Sequence, residues 1–354
     1  MNQQIRFTHG FDGTRIAYAL SGEGPPLVRA PHWLTHLEYE PHSPIWKPWI
    51  EALSNTYTLL RSDLRGCGLS DWDVSDFSLD AWVSDLESVV DAAGLKQFPL
   101  LGHSQGAAIA IEYCVRHPDR VTHLVLLGSY ARGALQRNPA AERVAELDAL
   151  LKLIEVGWGR DDPSYRQIFS TQFAPSGSLE QINSMSEIQR RSTSPANAVR
   201  AIRSIFSIDV REAAARVRCP TLILHARGDC RAPFDEGLLL AGMIPGARLV
   251  PLESDNHILL PQEPAFRQFF DELDAFLPSP GRAAKGNPFG QLTPRETEVL
   301  ERIAQGLDNA QIAAHLGLAE KTVRNNITRI FDKLGVENRP QAIVLARNSG
   351  LGRI

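Results

Sequence analysis

The sequence is poor in cysteine and has no long hydrophobic segment. Its 354 residues include four cysteines, Cys67, Cys114, Cys219 and Cys230, whose spacing matches neither a zinc-ligand pattern nor a disulfide framework. No apolar run approaches the ~20 residues that a membrane-spanning helix needs, and Met1–Arg6 lacks the apolar core of a signal peptide. These absences predict a cytoplasmic protein with reduced thiols, no metal site, no cofactor and no membrane partner.

The chain also lacks the overall positive charge that would mark a nucleic-acid-binding protein. Its net charge is −4, but the charge is unevenly distributed. Residues 281–354 contain 11 Lys/Arg and 7 Asp/Glu, a net of +4, and residues 1–280 contain 26 Lys/Arg and 34 Asp/Glu, a net of −8. An acidic body with a mildly basic end favours two domains with different partners, and the length allows each to bury a core.

Residues 1–278 alternate short hydrophobic runs with longer helical stretches. Strands are predicted at Arg15–Leu20, Pro26–Arg29, Tyr57–Ser62, Phe98–Leu101, Val121–Leu127, Pro220–His225 and Ala247–Leu252. Helices are predicted between several of them, for example at Leu79–Ala93 and Ala107–His117. This alternation predicts an α/β domain with a doubly wound, mostly parallel sheet that is covered on both faces.

The alternation stops at about residues 132–210, which are polar, rich in helix-forming residues and studded with aromatic side chains. We expect an inserted helical cap over one end of the sheet, although helices that only cover the sheet would give the same pattern. Residues 279–290 are rich in Pro, Gly and small residues, which predicts an interdomain linker. The predicted domains are therefore residues 1–278 and 291–354.

The C-terminal region predicts three short helices. Thr293 can cap the first at Pro294, and Glu296 can close a capping box with Thr293. Asp308–Gln311 repeats this pattern for the second helix. The third helix, Glu320–Leu334, has hydrophobic residues at the spacing of one buried stripe. These residues are Val323, Ile327, Ile330, Phe331 and Leu334.

The polar side of the third helix offers side chains suited to a DNA duplex. The residues considered for DNA contact are Lys321, Thr322, Arg324, Asn325, Thr328 and Arg329. Asn325 could form a bidentate pair with adenine, and Arg324 could do so with guanine. Lys321, Thr322 and Arg329 suit phosphate contacts better. The alternative is an amphipathic helix whose polar face only contacts water.

The C-terminal motifs resemble the signature of the LuxR-type DNA-binding domain. They are, in order, Leu292-Thr293-Pro294-Arg295-Glu296, Ile312-Ala313, Thr322-Val323-Arg324 and Lys333-Leu334-Gly335-Val336-Glu337-Asn338-Arg339. The resemblance implies a helix-turn-helix domain whose third helix enters the major groove, and a homodimer on a two-fold promoter site. Two residues depart from the family pattern. Asn326 stands where histidine is common, and Ala319 replaces the usual Ser/Thr cap, which weakens the cap by about 1 kcal/mol at most.

In the N-terminal region, Gly102-His103-Ser104-Gln105-Gly106 places a Gly-x-Ser-x-Gly motif between a predicted strand and a predicted helix. In a nucleophile elbow the serine occupies a strained turn, so the residues two positions away must be small. Asp229 and His257 follow later predicted strands, in the Ser, Asp, His order that this class of hydrolase requires. An imidazole can accept the serine proton while a carboxylate holds its tautomer. Ser104, Asp229 and His257 are therefore the predicted triad.

Three motifs resemble the α/β-hydrolase fold: Gly24-Pro25-Pro26-Leu27-Val28, Asp63-Leu64-Arg65-Gly66-Cys67-Gly68-Leu69-Ser70-Asp71 and the elbow. The resemblance implies an eight-stranded sheet, a helical cap and a pocket between them, with small esters, lactones and similar acyl compounds as ligands.

One segment departs from the family pattern. Ala30-Pro31-His32-Trp33 stands where the family often has His-Gly. The oxyanion hole would use the backbone N–H of Gln105 and, because Pro31 has none, that of Trp33 or His32. The bulky Trp33 could instead line the ligand pocket.

Three functions fit these observations. The first is a transcriptional regulator whose hydrolase-like domain binds a small-molecule effector. The second is a regulator that also turns over its ligand as a serine hydrolase. In the third, the large domain only dimerises or contacts another protein.

Overall fold

The computed structural model describes residues 3–160, 162–277, 292–336, 338–348 and 351. The chain forms two compact units that divide after Leu277. The predicted linker at residues 279–290 lies outside the described residues. Each unit has a hydrophobic core of its own.

The described residues of the first unit form an eight-stranded sheet. Its strands are β1 (Gln3–His9), β2 (Arg15–Ser21), β3 (Pro26–Arg29), β4 (Thr58–Ser62), β5 (Phe98–His103), β6 (Val121–Leu127), β7 (Thr221–Ala226) and β8 (Arg248–Leu252). Their order is β1-β2-β4-β3-β5-β6-β7-β8. Strand β2 pairs antiparallel with β1 and β4, and the other neighbouring pairs are parallel. The predicted mostly parallel sheet is confirmed.

Strand β1 is the strand that the hydrophobic pattern did not predict. It lies at the edge of the sheet, and its apolar residues Ile5 and Phe7 are exposed. An edge strand can be held by pairing with one neighbour and needs no buried apolar run. The seven strands predicted from the pattern are present, with ends that shift by no more than two residues.

Helices in the first unit surround the sheet and form the cap region. They are α1 (Trp46–Ser54), α2 (Leu79–Ala92), α3 (Gly106–Arg116), α4 (Ala141–Gly157), α5 (Pro163–Ser170), α6 (Leu179–Ser192), α7 (Pro195–Ser207), α8 (Arg211–Ala214), α9 (Phe234–Met243) and α10 (Pro264–Phe276). Helices α1, α2, α3, α9 and α10 contact strands, whereas α4 packs on α7 and α5 on α6. Helices α4 to α7 thus lie inside the interval predicted as a cap.

The second unit contains α11 (Pro294–Ala304), α12 (Asn309–Leu316), α13 (Glu320–Leu334) and α14 (Arg339–Asn348). The capping boxes predicted at Thr293 and Asp308 are both formed. Helix α14 was not predicted, because it buries the small residues Ala342 and Ala346 rather than a stripe of large ones. None of the helices in the described part of the chain has the length and hydropathy required to cross a membrane.

Candidate functional sites

Ser104 occupies the turn between β5 and α3. Its backbone φ of 54° lies in the left-handed region, which costs a non-glycine residue about 1–2 kcal/mol. A Cβ on Gly102 would lie 2.6 Å from Cα of Ala107, and a Cβ on Gly106 would lie 2.8 Å from the carbonyl oxygen of Pro31. The turn therefore requires glycine on both sides of the serine, as expected for a nucleophile elbow.

Asp229 and His257 follow β7 and β8, at the same edge of the sheet as Ser104. Nδ1 of His257 lies 2.7 Å from Oδ2 of Asp229. The other carboxylate oxygen accepts the backbone N–H groups of Arg231 and Ala232, both at 2.8 Å. Burial alone would raise the pKa of Asp229, but the charge and hydrogen bond of His257, followed by the backbone donors, lower it. The ionised carboxylate fixes the imidazole, which leaves Nε2 as the basic atom.

Nε2 of the His257 imidazole is the atom of this arrangement that is available to accept a proton. It is buried and has no hydrogen-bond partner among the described residues. The Asp–His half of the predicted triad is therefore assembled, whereas the Ser104–His257 hydrogen bond is not formed in this structure.

Gly128, which sequence reasoning missed, makes room for the imidazole. It directly follows β6 with a φ of +53°, and a Cβ there would lie 3.2 Å from the His257 ring and 3.4 Å from Oδ2 of Asp229. A glycine directly after a buried hydrophobic strand is the signal that could have identified it.

His103 supports His257 from the other side. The two rings stack with centroids 5.3 Å apart, and Nε2 of His103 donates to the carbonyl oxygen of His257 at 3.1 Å. Burial, followed by the nearby His257, lowers the pKa of His103 to about 3. A neutral His103 therefore positions His257 and does not compete with it as a base.

The oxyanion site differs from the sequence expectation. The backbone N–H of Trp33 donates to Oε1 of the Gln105 side chain at 2.9 Å. Trp33 is thus adjacent to the elbow, as predicted, but Gln105 already accepts its N–H. One missing oxyanion donor lowers the rate of acyl transfer by about 10²–10³.

A pocket that opens to solvent lies at Ser104. Its apolar walls are formed by Trp33, Tyr130, Leu147, Phe173, Ile205 and Phe206. Its polar side chains are Ser104, Gln105, Arg137, Arg143 and Arg231. Leu147 lies in α4 and both Ile205 and Phe206 lie in α7, so the cap region forms part of the wall. Sequence reasoning identified Trp33, Ser104 and Gln105 but missed the three arginines, because no motif marks them.

The strain at Ser104 gives a stability prediction. We expect Ser104→Gly to be more stable than Ser104→Ala by about 1 kcal/mol, because both remove the hydroxyl but only glycine tolerates a left-handed backbone. Urea unfolding followed by tryptophan fluorescence measures this difference within the first unit, since all six tryptophans precede residue 278. Equal stability of the two variants would show that the elbow stores no strain.

Helix α13 presents the side chains predicted to contact DNA. Val323, Ile327 and Ile330 are buried against the second core. The six predicted contact residues are all exposed: Lys321, Thr322, Arg324, Asn325, Thr328 and Arg329. The N-cap residue Ala319 makes no side-chain capping hydrogen bond within the described chain, as its residue type predicts. The helix therefore has one face packed inward and a polar face available to a partner.

An ion pair ties the C-terminal end of α13 to α11. Nζ of Lys333 lies 2.6 Å from Oε2 of Glu296. This hydrogen bond, followed by the N–H of Thr293, lowers the pKa of Glu296 to about 2. Glu296 thus serves both its capping box and the orientation of α13.

Comparison with known families agrees with both units. The family described as "alpha/beta hydrolase fold" matches residues 34–264, which is more than half of the chain. The chain therefore belongs to the α/β-hydrolase fold family. Residues 290–346 match the family described as "Bacterial regulatory proteins, luxR family". The protein thus combines a hydrolase-fold domain with a LuxR-type DNA-binding domain.

Relatives of the first unit include proteins named as hydrolases. The AB hydrolase superfamily protein YisY of Bacillus subtilis is 29% identical over 247 residues, covering 67% of this chain and 86% of YisY. The pyrrolizixenacetamide deacetylase of Xenorhabdus hominickii is 27% identical over 261 residues, covering 70% of this chain and 91% of the enzyme. The structure of the esterase EaEST from Exiguobacterium antarcticum matches with a TM-score of 0.64 and 24% identity, covering 76% of this chain and 98% of the esterase.

Proposed function

We propose that the protein is a DNA-binding transcriptional regulator whose hydrolase-fold domain binds a small-molecule effector. The LuxR-family match and the exposed polar face of α13 support the DNA-binding part. The observation that carries the effector part is the pocket at Ser104, which has apolar walls and a few convergent polar groups. Such a pocket is typical of a small-molecule site, and the engaged N–H of Trp33 favours binding over rapid turnover.

Effector binding would control DNA affinity through the cap region. Helices α4 and α7 contribute Leu147, Ile205 and Phe206 to the pocket, so a bound ligand would contact the cap region directly. In this proposal the cap region has two arrangements, and the ligand shifts the population toward the one that it prefers. DNA affinity then changes because DNA binding also favours one of the two, and by the same factor DNA changes the affinity for the ligand. We expect the regulator to act as a homodimer on a two-fold site.

A second candidate function is a regulator that also hydrolyses its ligand. The hydrogen bond between His257 and Asp229 and the elbow geometry of Ser104 favour it. Oγ of Ser104 would attack the acyl carbon while Nε2 of His257 takes its proton. His257 would then protonate the leaving group, and water would release the acid from Ser104. The backbone N–H groups of Gln105 and Trp33 would stabilise the oxyanion only after the Gln105 side chain moves away.

A ligand-response experiment with the full chain tests the effector proposal. Esters, lactones and phenolic acids are screened by thermal shift, and each hit is titrated into a duplex selected by the protein from random DNA. We expect a hit to change the Kd for this duplex by about 5- to 150-fold, the usual range of allosteric coupling.

Two neighbouring substitutions provide matched variants for this experiment. Ala134→Phe places a ring in the pocket, because Ala134 lines it. Leu135→Phe adds a ring at the next residue, which is exposed and outside the lining. We expect Ala134→Phe to abolish the response and Leu135→Phe to retain it, with DNA binding intact in both. If no compound changes the Kd for DNA, the effector proposal is wrong.

A further inference from the structure

The pocket at Ser104 has an unbalanced charge. Its lining contains Arg137, Arg143 and Arg231 but neither aspartate nor glutamate among the described residues. Three guanidinium groups around a partly apolar cavity repel one another and attract an anion. We therefore expect the lining to favour negatively charged ligands over neutral ones of the same shape.

Arg231 is the arginine with the greatest need for a counterion. Its Nη1 donates to the neutral Oε1 of Gln172 at 3.2 Å, and its guanidinium lies 5.3 Å from the ring centroid of Phe173. Within the described parts of the chain, no ion pair joins Arg231 to a carboxylate. Burial lowers the pKa of Arg231, the nearby Tyr130 and Asp229 partly oppose this, and the charges of Arg143 and Arg137 lower it further. A bound anion would supply the missing negative charge.

The other two arginines do not have their charge fully neutralised by the surrounding acids. Arg137 donates through Nε to the carbonyl oxygen of Arg132 at 2.9 Å and lies 3.6 Å from Glu236. Glu236 is bound more closely by Arg132, at 2.7 Å. Arg143 pairs with Glu146 in solvent at the pocket rim, where water screens the pair. The positive charge of the lining thus persists.

Gln105 adds an unused donor to the same pocket. Its Oε1 accepts the Trp33 N–H, whereas its Nε2 is buried and has no partner in the described chain. Buried donors are normally satisfied, so a ligand with acceptor oxygens would complete this group.

We infer that the pocket takes a small organic carboxylate, in which the carboxylate pairs with Arg231 and an apolar body packs against Trp33 and Phe173. This inference rests on the proposed effector function and names the chemical class of the effector. A carboxylate fits better than a phosphate ester, because burying its single charge against the apolar walls costs less than burying the larger charge of a phosphate group. An ester or lactone group elsewhere in the same compound would lie toward Ser104.

Matched acid and ester probes test the inference. Phenylacetate is compared with methyl phenylacetate, and monomethyl adipate with dimethyl adipate, by calorimetric titration of the full chain without DNA. Each pair differs by one methyl group and one negative charge. We expect at least one acid to bind ten-fold more tightly than its neutral ester, and Arg231→Gln to remove most of that preference.

The control is Arg227→Gln. Arg227 directly follows β7, is exposed and pairs with Glu253, so its loss should leave the preference for the acid over the ester unchanged. Arg143→Gln, at the rim, provides a second variant if Arg231→Gln is unstable, and should lower the preference by a smaller factor. Equal affinity of acids and esters, no saturable acid binding up to about 10 mM, or tighter binding of phenyl phosphate than of phenylacetate would overturn the inference. Because DNA is absent, a failure of the regulator proposal would show separately, as an unchanged DNA Kd with a bound acid.

Discussion

Replacing Arg324 with alanine should remove sequence-specific DNA binding. Arg324 is exposed on α13 beside the buried stripe of Val323 and Ile327, and we expect its guanidinium to reach a guanine edge. Such a bidentate contact contributes about 1–3 kcal/mol. The proposed homodimer on a two-fold site would lose two contacts, so we expect the specific Kd to rise by about 30-fold or more. Fluorescence anisotropy with the selected duplex and a scrambled duplex measures the change.

Arg329→Ala is the matched control for this prediction. Arg329 is exposed on the same helix and is assigned to phosphate contact. Its loss should weaken binding to both duplexes by a similar factor and reduce the salt dependence by about one unit per contact. A footprint that survives Arg324→Ala would show that the reading face is assigned wrongly.

Replacing Gln105 with alanine should raise the rate of ester hydrolysis. The substitution removes Oε1 of Gln105, which accepts the backbone N–H of Trp33 at an N···O distance of 2.9 Å. This N–H would then be available to donate to an oxyanion. One such donor changes the rate by about 10²–10³. We therefore expect kcat for p-nitrophenyl acetate to increase by up to that factor, measured by release of nitrophenolate.

Two further variants separate this explanation from a general loosening of the pocket. Gln105→Glu keeps an acceptor for the Trp33 N–H and adds a negative charge, so it should remain slow. Ser104→Ala combined with Gln105→Ala should hydrolyse no ester above background, because the nucleophile is lost. If Gln105→Ala is folded and no faster than the native protein, the Trp33 N–H does not limit the chemistry.

Ser104→Ala alone should keep the effector response if the pocket acts as a sensor.

The features that were predictable from sequence depend on short-range constraints. The elbow at Ser104 is set by the two glycines beside it, and the capping boxes at Thr293 and Asp308 each involve residues three positions apart. The stripe on α13 follows from helical periodicity. Asp229 and His257 were predicted from their positions after later strands, in the Ser, Asp, His order of this class of hydrolase.

The features that were missed depend on contacts distant in sequence or on weak patterns. The Gln105 side chain and the Trp33 N–H are 72 positions apart, so residue types alone could not show that one engages the other. Arg137, in the short 3-10 helix Ala134–Arg137, and Arg231, in a loop, reach one pocket from distant parts of the sequence, and neither belongs to a motif. Strand β1 and helix α14 lack a large apolar stripe, which is the main signal that sequence reasoning uses.

The position of Asp229 has a consequence for how such a protein could change during evolution. One oxygen of Asp229 holds His257, and the other holds the backbone of Arg231, whose side chain enters the pocket. A substitution at Asp229 would therefore damage the base and the anion contact together. The hydroxyl of Ser104 has no such second role in the described structure, so a lineage could lose the proposed reaction at Ser104 and still bind the proposed ligand.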